Sequence, residues 1–169
     1  MRMSDQPPNI EKLIREHYDV LYRYAFRLSG NPADAEDLTQ QCFLTAHRKL
    51  RQLRDPAAAR GWLFQILRNI FLKLCRKRFP VSACDTNFEI GQIIDAGPPD
   101  VPFDIERLQQ RLLELPENYR VALLMFYFEG KTYNQIAMEL GIAPGTVMSR
   151  LSRAKAHLRV QLSPSETVN

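Results

Sequence analysis

Apolar residues recur at intervals of three and four along most of the chain. Ile10, Leu13, Ile14, Leu21, Ala25 and Leu28 form one series, and Ala35, Leu38, Cys42, Ala46 and Leu50 form a second. That spacing puts each series on one face of an α-helix. No strand-like alternation competes with it. Gly30-Asn31-Pro32 closes the first helix, and Asp34, Glu36 and Asp37 place negative charge in the first turn of the second, where the helix dipole favours it. The two read as a hairpin of helices. The pattern breaks between Arg54 and Ala59 at Asp55-Pro56, and Leu63, Ile66, Leu67, Ile70 and Leu74 then mark a third helix lasting to about Arg78.

From Pro80 to Phe103 the sequence has four prolines, two glycines and little periodicity, which reads as an extended linker. Helical spacing resumes with Ile105, Leu108, Leu112 and Leu115, stops at Pro116, and restarts at Val121, Leu124, Met125 and Phe128. A helix-turn-helix is expected from Thr132 to Arg159. Its first helix turns Ile136, Ala137 and Leu140 inward, Gly141 supplies the left-handed backbone of the turn, and Pro144 suits the first position of the second helix. The expected architecture is all-α. Two small helical domains, 1–79 and 104–169, are joined by a flexible acidic linker over 80–103, and the C-terminal domain carries the helix-turn-helix.

On the last helix Val147, Leu151, Ala154 and Leu158 fall within about 60° of one another and make an apolar stripe. Gly145, Ser149, Ser152, Arg153 and Ala156 fall opposite. Small side chains there permit close approach to base edges, hydroxyls donate or accept, and Arg153 can pair bidentately with guanine. Arg150, Lys155 and Arg159 flank that face at positions suited to phosphates, which supply affinity and register rather than sequence information. This is the pattern of a helix that enters the major groove of duplex DNA. On the third helix Gln65, Asn69, Lys73 and Arg76 share an arc of about 80°, with Arg68 and Lys77 at its edges. Amides and long bases are what a surface touching phosphates and bases uses. Trp62, Phe64 and Phe71 lie close by and have the chemistry to stack on unpaired bases, although Trp62 and Phe64 read more simply as core.

Charge placement sharpens this picture more than the net charge of +4 does. Arg68 to Phe79 holds five bases and no acid, Val81 to Glu106 six acids and no base, and Pro144 to Gln161 four bases and no acid. Two basic helices therefore flank an acidic stretch, as a polyanionic partner would require. Three cysteines, Cys42, Cys75 and Cys84, include no CxxC pair, so neither a disulfide framework nor a zinc site is encoded. Cys42 and Cys75 read as helix-core residues and Cys84 as a loop residue. His17, His47 and His157 are scattered, without a Ser, Cys or carboxylate constellation at catalytic or metal spacing. No enzymatic activity, cofactor, metal or small-molecule substrate is expected. No apolar run approaches the roughly 20 residues of a membrane span, and the start of the chain lacks a signal-peptide core, so a cytoplasmic location without membrane insertion is expected.

Three strings carry a family resemblance: DAEDLTQQCFLTAHRKL, then RGWLFQILRNIFLKLCRKR, then LPENYRVALLMFYFEGKTYNQIAMELGIAPGTVMSRLSRAKAHLR. In this order, with a linker between the second and third, they resemble a bacterial extracytoplasmic-function sigma factor from about Ile10 to Leu162. The resemblance implies a non-enzymatic subunit that binds core RNA polymerase at its clamp and flap regions, directs it to promoters and assists strand opening. It implies that the second helix docks on the clamp through Asp37, Leu38, Gln40, Gln41 and Phe43. It implies that the third helix and the loop before it engage the minus-10 element through Arg60, Asn69, Lys73, Arg76 and Lys77, joined by Arg68 at the edge of the basic arc. The last helix would read the minus-35 element through Thr146, Met148, Ser149, Arg150 and Arg153, with Ser152 and Lys155 added by the helical wheel. An environmental or stress signal, and an anti-sigma factor that holds the protein inactive, belong to the same implication.

Departures from the family pattern bear on promoter choice. Gln41 stands where an acid is frequent, His47 where an aromatic is common, Lys73 where Asp is frequent, and Met148 where a base is usual. Met148 removes a possible guanine or phosphate contact and suits an apolar thymine methyl. The competing reading is a stand-alone helix-turn-helix regulator, which would bind duplex DNA without polymerase as a dimer on symmetric half-sites.

Overall fold

The computed structural model describes residues 9–78 and 105–162, which fall in two compact units divided between Pro80 and Val81. No strand occurs among the described residues. The stretch read as a linker, with Cys84 in it, lies outside them.

The first unit is built from α1 (Ile10–Ser29), α2 (Pro32–Arg48) and α3 (Ala59–Arg78). Local chemistry sets where each begins and ends. Asn9 caps α1, its side-chain oxygen accepting the Glu11 N–H at 3.0 Å. Gly30 ends the helix at φ +85°, a left-handed conformation that costs glycine little, and its N–H bonds the Phe26 carbonyl. One residue later Asn31 caps α2 by accepting from the Asp34 N–H at 2.8 Å, with Pro32 preset for the first turn. Asp55 accepts from the Ala57 N–H at 2.9 Å and starts the short 3-10 turn Pro56–Ala58 that leads into α3.

Packing follows the predicted stripes. Leu21, Ala25 and Leu28 of α1, Ala35, Leu38, Cys42 and Ala46 of α2, and Leu63 and Leu67 of α3 are buried together with Tyr24 and Phe64, whose rings meet at 4.8 Å. A smaller cluster of Leu13, Leu53 and Ala59, with Leu50 and Trp62 against it, seals the connection from α2 to α3. Burial pushes the Cys42 thiol up to about 12, the Leu67 backbone opposing the shift, and its Sγ donates to the Leu63 carbonyl at 3.4 Å. Cys75 is half-buried.

The second unit contains α4 (Ile105–Glu114), α5 (Glu117–Tyr127), α6 (Tyr133–Leu140) and α7 (Pro144–Leu162). Pro116 separates α4 from α5, and the buried Arg120 closes the corner by donating from Nη2 to the Leu115 carbonyl at 3.2 Å. α7 is the hub, since α4, α5 and α6 all pack on it. Val147, Leu151 and Ala154 are buried at those contacts, as are Val121, Met125 and Ile136 on the facing helices.

Candidate nucleic-acid interfaces

The turn that aims α7 is over-determined. Thr132 and Gln135 form a reciprocal capping box: the Thr132 hydroxyl accepts from the Gln135 N–H at 3.3 Å, and the Gln135 side-chain oxygen accepts from the Thr132 N–H at 2.9 Å. Ahead of α6 the Lys131 ammonium joins Glu129, at 3.7 Å, to Glu139. Gly141 takes φ +66° after α6, and the Ala137 carbonyl accepts from the N–H groups of Gly141 and of Ile142, the latter at 3.0 Å. Such a fixed turn presents α7 as a rigid element, which reading base edges requires.

On α7 the face opposite Val147 divides by position. Gly145, Met148, Ser149, Ser152 and Arg153 are exposed, Met148 at 54%, and Thr146 is half-buried. Ser149 Oγ donates to the Thr146 carbonyl at 3.0 Å, so toward a base the hydroxyl offers its lone pairs and suits a donor such as a cytosine or adenine amino group. Three residues depart from the helical wheel. Arg150 is only 7% exposed and already engaged rather than free beside the groove-facing surface. Ala156 is buried, although it falls opposite the stripe. Lys155 is half-buried, its ammonium 4.9 Å from the Phe126 ring centre and 5.5 Å from that of Tyr127, a cation–π seat. The reason is common to all three. A wheel assumes one packing surface, whereas α7 has three neighbours; α4 comes alongside its C-terminal half, where His157 Nε2 meets Glu114 Oε2 at 3.1 Å.

On α3 the exposed arc consists of Gln65, Asn69, Lys73, Arg76 and Lys77. Arg60, the second residue of α3, is exposed, with its guanidinium 5.5 Å from the Phe64 ring centre. Arg68 is not part of this surface. It is 1% exposed, among the largest fully buried side chains, and engaged in an interaction of its own, on a helix flanked by both α1 and α2. Phe64 and Phe71 are buried and so are core, unable to offer faces to unpaired bases, while the half-buried Trp62 packs against the Leu13 cluster. Arg78 Nη2 lies 3.8 Å from Asp34 Oδ1 at the start of α2.

Of the α2 residues assigned to polymerase, Asp37, Gln40 and Gln41 are exposed, while Leu38 and Phe43 are buried. Phe43 nevertheless forms the wall of a groove of about 450 Å³ between α1 and α2, lined also by Ile14, Tyr18, Gln40, Leu44 and His47. The Tyr18 ring stacks on Phe43 at 6.3 Å, and Leu44 is 57% exposed. The helical wheel missed the groove. Its one signal was that the α1 stripe extends to Ile10 and Ile14, beyond what α2 and α3 cover. Nearby, His17 is held below its ordinary value of 6.5 by partial burial, with Glu16 pulling the other way and Arg60 adding to the depression.

Among the described residues no cluster of His, Cys, Asp and Glu could hold a metal ion, and no helix is long and apolar enough to cross a membrane.

Comparison with known proteins matches the two units separately. Residues 13–79 match Sigma-70 region 2, and residues 105–158 match Sigma-70 region 4. The ECF RNA polymerase sigma factor SigE of Mycolicibacterium smegmatis is 36% identical over 161 residues, which cover 92% of this chain and 62% of that protein. SigL of Mycobacterium tuberculosis is 37% identical over 156 residues, covering 89% and 86% respectively. Among solved structures, the sigma factor RpoE of Bartonella quintana, crystallised with the anti-sigma factor NepR, superposes with a TM-score of 0.67 at 28% identity over 92% of this chain and 99% of that one. Two capped helical units, each with an exposed polar and basic helix face, thus match the two conserved regions of one family in the same order: the chain belongs to the extracytoplasmic-function sigma factors.

Proposed function

We propose that this chain binds core RNA polymerase and directs it to a particular set of promoters, with α7 reading the minus-35 element and α3 the minus-10 element. The observation that carries the reading is that each unit exposes one helix face rich in bases, amides and small residues, joined on α7 by Met148, while most aromatic and apolar residues of both helices are spent on packing. Two reading faces on one chain suit an initiation factor better than a simple repressor, which uses one head per subunit and a dimer. On α7 the contacts are assigned to Thr146, Met148, Ser149, Ser152 and Arg153, and on α3 and its approach to Arg60, Asn69, Lys73, Arg76 and Lys77. Lys155 reaches phosphate only by leaving its aromatic seat. The clamp of the polymerase would meet α2 at Asp37, Gln40 and Gln41 and fill the groove walled by Phe43. The proposed setting is cytoplasmic and non-enzymatic, with an anti-sigma partner and an environmental signal. Support for that partner is that the Bartonella quintana sigma factor was solved with one.

The test is reconstituted transcription. Purified chain added to core polymerase is expected to give transcripts from discrete start sites that core alone does not give. A chain that binds duplex DNA specifically but neither copurifies with core nor supports initiation would replace this reading with the stand-alone regulator.

A further inference from the structure

Among Arg150, Arg153 and Lys155, the bases of α7 assigned to minus-35 DNA, Arg153 is the exposed one. Its guanidinium is not loose in solvent, because Nη1 donates to the Tyr119 hydroxyl at 3.3 Å, across 34 residues of sequence. Tyr119 is well anchored. It sits in the first turn of α5, its N–H bonds the Pro116 carbonyl at 3.0 Å, and the residue is only 6% exposed. A buried ring thus delivers one fixed acceptor to the flank of the DNA-facing helix.

We propose that Tyr119 is a positioning residue for promoter selection: its hydroxyl fixes the Arg153 guanidinium and thereby sets the base that Arg153 discriminates. A guanidinium carries five N–H donors in a planar fork, so donating one to Tyr119 leaves enough for a bidentate contact with the O6 and N7 atoms of guanine. An unrestrained arginine loses much rotamer freedom on binding, and it can also trade a base contact for a nearby phosphate. The Tyr119 hydroxyl removes part of that freedom before DNA arrives, so it acts on discrimination between bases more than on overall affinity. Tyr119, only 6% exposed, would act through Arg153 rather than on the base itself.

The inference rests on the assignment of Arg153 to DNA, and the experiment separates the two. Holoenzyme assembled from core polymerase and full-length chain is assayed on promoters carrying each of the four bases at every minus-35 position. For Arg153→Ala, preference at one position is expected to collapse. For Tyr119→Phe, which keeps the buried ring, preference at that same position should fall about three- to tenfold, the size of one lost hydrogen bond. Preferences elsewhere and the melting temperature should hold, and the double variant should discriminate no worse than Arg153→Ala alone. If Arg153→Ala changes preference but Tyr119→Phe does not, or Tyr119→Phe weakens all promoters equally, positioning by Tyr119 is overturned while Arg153 remains a DNA contact. If Arg153→Ala leaves every preference unchanged, the assignment of Arg153 fails and the inference falls with it.

Discussion

Replacing Arg68 with alanine separates two accounts of the basic α3 helix. If Arg68 is a structural core residue, truncation removes two buried methylenes, Cγ and Cδ, at about 0.8 kcal/mol each and leaves its interaction unmade at about 1–3 kcal/mol, for a total of about 2.5–4.5 kcal/mol. The described part of the first unit runs from residue 9 to 78, and a domain of that length has a stability of about 3.5–10 kcal/mol. The substitution therefore removes about a quarter of it or more. At roughly 4–8 °C per kcal/mol for a domain of this size, melting of the first unit should fall by at least about 10 °C. Circular dichroism melts of the full chain read this directly, and Arg68→Met, which keeps the apolar stem, should melt between the two. A phosphate contact behaves differently: its loss leaves the melt unchanged and reduces the slope of log K against log salt by about 0.9. Unchanged melting together with a reduced salt slope for holoenzyme on promoter DNA would refute the burial argument.

Three further outcomes are expected. Gly141→Ala forces a Cβ onto a backbone at φ +66° with open space around it, so its cost is backbone strain alone, about 1–2 kcal/mol, visible as a lower melting temperature and unaltered base preference. Altered preference without a stability loss would mean that the turn contacts DNA. Because the folded state holds the His17 pKa below the unfolded value of 6.5, the unfolded chain binds the proton more readily. Stability from this group is thus intact above about pH 6.5 and is lost as pH falls through the folded value. His17→Asn should accordingly flatten the drop in melting temperature between about pH 7.5 and pH 5.5, and parallel curves for parent and variant would remove His17 as a cause. Leu44→Glu places a charge in the α1–α2 groove at an exposed position, so the fold should tolerate it while affinity for core polymerase falls at least tenfold, about 1.4 kcal/mol. Undiminished binding would move the docking surface elsewhere.

Much of this fold is legible in the sequence because its boundaries are set locally. Asn9, Gly30-Asn31-Pro32, Asp55-Pro56, Pro116, Thr132 and Gly141-Pro144 mark element ends through chemistry that needs no tertiary context. Stripes such as Ala35, Leu38, Cys42 and Ala46 identify the buried face when a helix has one principal neighbour. Where a helix is flanked on several sides, angle alone misleads. Arg68, Arg150 and Ala156 lie at angles that a single-sided helix would leave in water, yet each is buried because α3 has two neighbours and α7 three. The groove is legible only in part: Ile14 continues the α1 stripe past the point where the unit covers it, whereas Leu44 lies off the α2 stripe and lines the groove from an exposed position. Cross-helix contacts such as Tyr119 with Arg153 leave no trace in spacing, since they depend on how α5 meets α7.

Under the proposed function, polymerase is needed to bring two reading faces of one chain onto one promoter. Footprinting on a promoter whose start site has been mapped tests it most directly, with chain alone, core alone and both together. Joint protection of the minus-35 and minus-10 elements is expected only when chain and core are both present, with Arg153→Ala weakening the upstream footprint and Lys73→Ala the downstream one. Equally specific protection by the chain alone, arranged as two symmetric half-sites, would contradict it.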